Sequence, residues 1–188
     1  MPTNNDKTEI AVFGGGCFWC TEAVFQMIGG IESATPGYSG GKIENPTYEQ
    51  VSAGKTGHAE AVKIEYDPHK ISFRELLTIF FATHDPTTLN KQGNDIGTQY
   101  RSVIFYTNAE QKQESEKFIE KLNATGEKGN KIVTDVVPFE KFYEAEDYHK
   151  NYQKIHKENP YCELVIEPKL EKVQKEFSKL LKNYNLES

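Results

Sequence analysis

Sulfur-containing residues and long apolar runs are scarce in this sequence of 188 residues. It contains three Cys, two Met and one Trp, and no stretch approaches the roughly 20 apolar residues of a membrane-spanning helix. The first ten residues have neither the basic region nor the apolar core of a secretory signal, so we expect a cytoplasmic protein. Three thiols cannot all pair with one another, which argues against a disulfide scaffold.

Positive charge is also in deficit. The 22 Lys and Arg residues are outnumbered by 28 Asp and Glu, which gives a formal net charge of −6. This balance removes the electrostatic attraction that a general nucleic-acid binder or a binder of anionic membranes needs, so we expect neither as a partner. What the sequence does have is ten Tyr and eleven Phe, and large rings in this number favour a folded core over disorder.

Local patterns alternate between strand and helix types and predict a single domain over residues 1–188. The β-prone runs predict strands at 9–13, 59–66, 98–107 and 132–137. Amphipathic or capped segments predict helices at 17–28, 72–84, 108–122, 144–157 and 168–186. Residues 1–8 are expected to be disordered or extended, and 31–57 to be irregular. We therefore expect an α+β fold, a two-layer sandwich with a mixed sheet and a ferredoxin-like core, plus a C-terminal helical arm.

Cys17 is the first residue to which the sequence assigns chemistry. It follows the glycine run 14–16 and begins a predicted helix. Unpaired backbone N–H groups and the positive end of the helix dipole favour a thiolate at such a position. An isolated Cys is usually a small buried hydrophobe, but the glycine run and a second thiol at Cys20 favour a reactive nucleophile here.

The CFWC motif at 17–20 permits two other interpretations. Its C-x-x-C spacing is typical of thioredoxin-like thiol–disulfide oxidoreductases and of one half of a zinc site. A zinc-stabilised binding module would need two more ligands, for which Cys162 with His149 or His156 are the candidates. Their spacing matches no common zinc pattern, so we expect no metal site.

Glu60 is a candidate proton donor. It lies among alanines in the predicted strand 59–66, where burial would raise its pKa toward neutrality. Its spacing is equally compatible with a solvated carboxylate on an edge strand. Phe18 and Trp19 have a similar ambiguity, because aromatic residues beside a reactive thiol can line an apolar pocket but are more often part of the core.

Six segments together resemble the peptide methionine sulfoxide reductase A family. In chain order they are GCFW (16–19), GYSGG (37–41), NPTY (45–48), GHAEAV (57–62), HDPT (84–87) and QGNDIGTQYRS (92–102). The resemblance extends from about residue 9 to about residue 170, and several of these segments are long enough to be highly specific.

The resemblance implies a reductase that converts free and protein-bound methionine-(S)-sulfoxide to methionine and so repairs oxidative damage. Cys17 would attack the sulfoxide sulfur, and Glu60 would protonate the oxygen. In the family pattern, the hydroxyl groups of Tyr48 and Tyr100 would hold this oxygen, and the carboxylate of Asp95 would order the site. Phe18 and Trp19 would form the pocket for the S-methyl group.

The resemblance further implies that Cys17 becomes a sulfenic acid, which a resolving Cys converts to a disulfide. Electrons would then come from an external thioredoxin or another dithiol reductant, with no bound cofactor. Many family members have Gly where Cys20 stands and carry the resolving Cys in a glycine-rich tail. In this sequence Cys20 and Cys162 are both candidates, and we favour Cys20 because its proximity to Cys17 follows from the sequence.

Overall fold

The computed structural model describes residues 7–182, and it is an α+β fold built on a six-stranded sheet. The strands are β1 (Glu9–Gly15), β2 (Ile31–Ser39), β3 (Ala59–Tyr66), β4 (Lys91–Gln92), β5 (Asp95–Ile96), β6 (Ser102–Tyr106), β7 (Asp135–Pro138) and β8 (Phe142–Glu144). The helices are α1 (Phe18–Gln26), α2 (Tyr48–Ser52), α3 (Phe73–Ala82), α4 (Ala109–Thr125), α5 (Tyr152–Ile155) and α6 (Glu167–Glu176), the last preceded by a π-helical turn at Cys162–Ile166.

The main sheet is mixed and has the strand order β7-β6-β1-β3-β2-β8. Its neighbouring strands are antiparallel except for β6 and β7, which run parallel. Strands β4 and β5 form a separate small hairpin. The mixed sheet expected from the sequence is confirmed, and β3 lies in its interior, between β1 and β2.

The two faces of the sheet bury different side chains because successive residues of a strand point to opposite faces. Phe13, Val62 and Ile104 belong to the large core that also contains the apolar residues of α1 and α3. Val12 and Val103, which alternate with them, belong to a smaller cluster on the other face. Glu60 shares the parity of Val62, so its side chain lies on the face of the large core.

Several predicted elements are confirmed by the structure. Strand 59–66 and the capping box of α3 are present, with Ser72 accepting from the backbone N–H of Glu75. Helix α4 is capped by Asn108 and ends at Gly126, whose φ of 64° is a left-handed conformation that favours glycine. Among the described residues, none of the helices combines the length and the hydropathy that crossing a bilayer requires.

The irregular segment predicted for 31–57 is wrong in two places. Residues 31–39 form β2, and 48–52 form α2. Pro36 and Gly37 are residues typical of turns. On its outer side β2 pairs with β8 only at Gly37–Ser39, so Pro36 lies where β2 becomes an edge strand. Edge strands tolerate proline. Pairing with β3 over almost its whole length therefore overrides the local preference of β2.

The helix predicted for 144–157 is also wrong. This segment contains the end of β8, a 3₁₀ turn at Asp147–His149 and only the short α5. Asn151 interrupts any continuous helix because its φ is 56°. The C-terminal helix predicted for 168–186 is α6, which ends at Glu176 and is followed by a 3₁₀ turn at Ser178–Leu180; residues 183–186, like residues 1–6, lie outside the described residues.

Two further strands begin later than predicted. Residues 98–100 of the strand predicted for 98–107 form a 3₁₀ turn, and β6 begins at Ser102. The strand predicted for 132–137 is β7, which begins at Asp135. Pairing with Gly15 of β1 sets the start of β6 at Ser102, and pairing with Val103 of β6 sets the start of β7 at Asp135.

The packing of β8 on β2 generates a prediction about stability. A Cβ at Gly37 would collide with the ring of Phe142 and the carbonyl of Tyr143 on β8. We expect Gly37→Ala to lower the free energy of unfolding by about 1–3 kcal/mol, as overpacking does. Chemical denaturation measures this change, with Ser33→Ala in the same strand as a control that stays within about 0.5 kcal/mol of the parent. Equal stability of the two variants would contradict the prediction.

Candidate active site

The candidate site lies where β1 ends and α1 begins. Gly14 and Gly15 complete β1, and Gly16 turns the chain with a φ of 95°. A side chain at Gly16 would also collide with Gln92, which packs against the backbone at this point. The glycine run therefore serves both a left-handed turn and a close approach, and together they fix Cys17 as the N-cap of α1.

Cys17 and Cys20 are free, buried thiols, and each of them shifts the pKa of the other. The hydrogen bond from Cys17 is the main reason that the pKa of Cys20 is lowered to about 7. Burial, followed by that same hydrogen bond, raises the pKa of Cys17 well above its ordinary value. Once the pair has lost its first proton, the two sulfur atoms share the proton that remains.

The start of α1 serves Glu60 as well as Cys17. The backbone N–H of Phe18, which begins α1, donates to Oε1 of Glu60 at 3.1 Å. The N–H of Trp19 still favours the Cys17 thiolate, but burial outweighs it. The helix N-terminus is therefore shared between a thiol and a carboxyl group.

Glu60 is 2% exposed in the interior strand β3, so the alternative of a solvated carboxylate on an edge strand is wrong. Burial raises its pKa to about 8, the charges of Asp95 and Cys20 add to the shift, and the N–H of Phe18 opposes it. At neutral pH this carboxyl group holds a proton. A protonated acid beside a pair of thiols is the arrangement that general acid catalysis requires.

Tyr48, Tyr100 and Asp95 surround the same carboxyl group. Burial raises the pKa of Tyr48 and of Tyr100, and the charge of Glu60 is the second cause in both. Both phenols therefore stay protonated and within electrostatic reach of Glu60. They come from separate elements: Tyr48 begins α2, Tyr100 lies in the 3₁₀ turn at Thr98–Tyr100, and Asp95 begins β5.

Phe18 and Trp19 are held by an aromatic cluster. The centroid of Phe18 lies 5.0 Å from that of His149, and Trp19 stacks on Tyr152 at 3.6 Å with the planes 4° apart. Nε1 of Trp19 donates to Nδ1 of His149 at 3.0 Å. Nδ1 therefore carries no proton, and the neutral ring has its N–H at Nε2, which is buried without a partner in the described structure.

Several other residues contribute to this site without a strong local signal in the sequence. Glu146 accepts from the hydroxyl of Tyr38 at 3.0 Å and from the backbone N–H of Tyr48 at 3.1 Å, and so anchors the first residue of α2. The sequence suggests His149 only as a zinc ligand and suggests no role for Tyr161. The dense acidic and aromatic composition of 142–152 was the available signal, but assigning this segment to a helix concealed it.

Cys162 is fully buried at the start of the π-helical turn. Burial raises its pKa, and the charge of Cys20 contributes, so the third thiol lies within electrostatic reach of the pair. The zinc alternative has no ligand set within residues 7–182, where no group of three or more His, Cys, Asp or Glu residues could hold a metal.

Comparisons with known proteins show the family to which the chain belongs. The family model described as peptide methionine sulfoxide reductase matches residues 9–181. A peptide methionine sulfoxide reductase MsrA of Sulfolobus acidocaldarius is 57% identical over 169 residues, which are 90% of this chain and 95% of the relative. An MsrA of Acinetobacter baumannii is 54% identical over 92% of this chain and 98% of the relative.

Solved structures give the same result. Reduced Mxr1 from Saccharomyces cerevisiae has a TM-score of 0.77 and 34% identity, over 86% of this chain and 92% of that one. Mxr1 in complex with Trx2 has a TM-score of 0.54 and 25% identity, over 81% and 89% of the two chains. The resemblance noted in the sequence is confirmed, and the chain belongs to the peptide methionine sulfoxide reductase family.

Proposed function

We propose that this chain is a peptide-methionine (S)-S-oxide reductase acting on free and protein-bound methionine-(S)-sulfoxide. The observation that carries the proposal is the buried Glu60 carboxyl group, with a pKa of about 8, beside the Cys17–Cys20 pair. Sulfoxide reduction needs a sulfur nucleophile and a proton donor in one site. A thiol–disulfide oxidoreductase would use the two Cys residues but has no need for the buried acid.

The substrate would bind with its S-methyl group against Phe18 and Trp19. The stack on Tyr152 and the hydrogen bond to His149 hold Trp19 in one orientation. The sulfoxide oxygen would face the opposite wall of the site, where Glu60 and the hydroxyls of Tyr48 and Tyr100 supply proton donors. This division into an apolar wall and a donor wall is the source of the proposed preference for one epimer.

The first chemical step transfers oxygen from the substrate to Cys17. The Cys17 thiolate forms a bond with the sulfoxide sulfur, and Glu60 protonates the oxygen, because O²⁻ cannot leave. The S–O bond of the substrate and the new bond between the two sulfur atoms then break as the hydroxyl group passes to the Cys17 sulfur, which yields methionine and a Cys17 sulfenic acid. Cys17 becomes the thiolate when the proton that it shares with Cys20 moves onto Cys20 across their hydrogen bond.

The second step regenerates the enzyme through a disulfide. We propose that Cys20 resolves the sulfenic acid, since its thiol is hydrogen-bonded to that of Cys17. Cys162 is the alternative, because it is buried and the charge of Cys20 contributes to its raised pKa. A dithiol of thioredoxin type would then reduce the bridge, a proposal that the complex of the relative Mxr1 with Trx2 supports. No bound cofactor is required, since the thiols supply both electrons.

We further propose that residues 1–188 form one catalytic domain in the reducing cytoplasm. Its four inner strands, in the order β6-β1-β3-β2 with antiparallel neighbours, support a ferredoxin-like core. Helices α1 and α3 follow β1 and β3 along the chain, as that β-α-β-β-α-β pattern requires, and their packing on one face of the sheet supports the two-layer sandwich.

The assignment is tested with resolved S and R epimers of a methionine sulfoxide. We expect turnover of the S epimer, complete loss of activity in Cys17→Ser, and a fall of about 10²–10⁴-fold in Glu60→Gln, the usual contribution of a general acid. Methionine formation is measured by chromatography, and Glu65→Gln on the same strand is the matched control. A preference for the R epimer, or activity in Cys17→Ser, would refute the proposal.

The paired pKa values also predict a pH profile. The reactive form has the Cys pair deprotonated once and Glu60 protonated, so kcat/KM should rise through about pH 7 and fall again through about pH 8. Glu60→Gln cannot lose a proton, so its residual activity should lack the alkaline decrease. Stopped-flow measurement of the first turnover checks this, and an alkaline decrease that persists in the variant would assign it to another group.

Disulfide mapping after one turnover without reductant separates the two resolving candidates. Wild-type protein should yield a Cys17–Cys20 peptide by mass spectrometry, and Cys162→Ser should yield the same bridge. In Cys20→Ser we expect one equivalent of methionine and no rapid bridge. Recovery of Cys17 bonded to Cys162 from wild-type protein would reverse the assignment.

A further inference from the structure

The hydroxyl of Tyr161 lies between Cys20 and Asp95. Its oxygen is 3.8 Å from Sγ of Cys20, and it donates its proton to Oδ2 of Asp95 at 3.0 Å. A phenol has one proton and accepts through its lone pairs, so the Cys20 thiol can donate to Tyr161 while Tyr161 donates to Asp95. The three groups form a continuous line of hydrogen bonds from a thiol to a carboxylate.

The chain holds Tyr161 in this position from several sides. Oδ1 of Asn159 accepts from the backbone N–H of Tyr161 at 2.9 Å, and the ring packs edge-on against Trp19 with centroids 5.8 Å apart. The π-helical turn begins at the next residue, Cys162, and such turns are frequent at functional sites. The hydroxyl is thus fixed by groups other than the two that it bridges.

The reaction itself creates a need for this contact. In the reduced protein the partner that most favours the Cys20 thiolate is the thiol of Cys17. Once Cys17 has taken up the oxygen of the substrate, that thiol no longer exists. In the described structure Tyr161 is the other side chain hydrogen-bonded to Cys20, and Cys20 is only 3% exposed, so water has little access to its proton.

We propose that Tyr161 carries the proton of Cys20 to Asp95 during disulfide formation, an inference that rests on the proposed role of Cys20 as the resolving residue. The S–H bond of Cys20 breaks as its proton passes to the Tyr161 oxygen, and the proton of Tyr161 passes to Asp95. The freed electron pair of Cys20 forms the S–S bond, and the S–O bond of Cys17 breaks. The oxygen leaves as water with the proton that Asp95 returns.

The two steps of a single turnover test this proton path. Reduced protein is mixed with methionine-(S)-sulfoxide without reductant, and quenched samples are analysed for methionine and for the Cys17–Cys20 bridge. In Tyr161→Phe we expect methionine to form within about 3-fold of the wild-type rate and the bridge to form at least about 10-fold more slowly. The sulfenic acid should accumulate and be trapped by dimedone, and the pH profile of the bridging step should shift to higher pH.

Tyr66→Phe is the matched control, because it removes another hydrogen bond between a buried phenol and a carboxylate, 2.9 Å long to Glu9, at the distant end of β3. Both steps should keep wild-type rates in this variant. A wild-type bridging rate in Tyr161→Phe, or an equal decrease of both steps, would overturn the proton path. Absence of methionine from the wild-type reaction would instead overturn the proposed function, and a Cys17–Cys162 bridge would overturn the resolving role of Cys20 on which this proton path rests.

Discussion

The burial of one carboxyl group at the start of α1 is the constraint on which the site depends. Glu60 projects from β3 into the large core, where an ionised carboxylate is costly and a protonated one is not. The N–H of Phe18 gives it a hydrogen bond, and the nearby charges of Asp95 and Cys20 favour the protonated form. The fold thus keeps this carboxyl group protonated at neutral pH chiefly by burying it away from water.

The same constraint explains how charge is divided between the two thiols. A helix N-terminus stabilises about half a unit of negative charge, and here its first N–H groups serve Glu60 and Cys17 together. The hydrogen bond between the thiols lowers the pKa of Cys20, and burial raises the pKa of Cys17. A nucleophile that stays protonated until its partner accepts the proton is protected from reaction with other oxidants, since the thiolate is the reactive form.

Most of the chemistry could be predicted from the sequence, because it lies in short segments whose local structure is decided locally. The glycine run before Cys17, the capping box of α3 and the strand containing Glu60 each have a strong local pattern. The missed elements depend on distant partners. β2 contains Pro36 and Gly37 and is a strand because β3 pairs with it, and 142–152 folds around Glu146 and His149 because Tyr38, Tyr48 and Trp19 bind them.

These distant contacts also show why the site needs the C-terminal half of the chain. The N-terminal half supplies the proposed reacting groups Cys17, Cys20 and Glu60, but Trp19 and α2 are oriented by hydrogen bonds to residues about 100 or more positions away. Tyr161 belongs to the C-terminal half, and its hydroxyl links Cys20 to Asp95 by hydrogen bonds. The proposed catalytic residues thus depend on partners distant in sequence for their orientation, and local patterns carry no information about those partners.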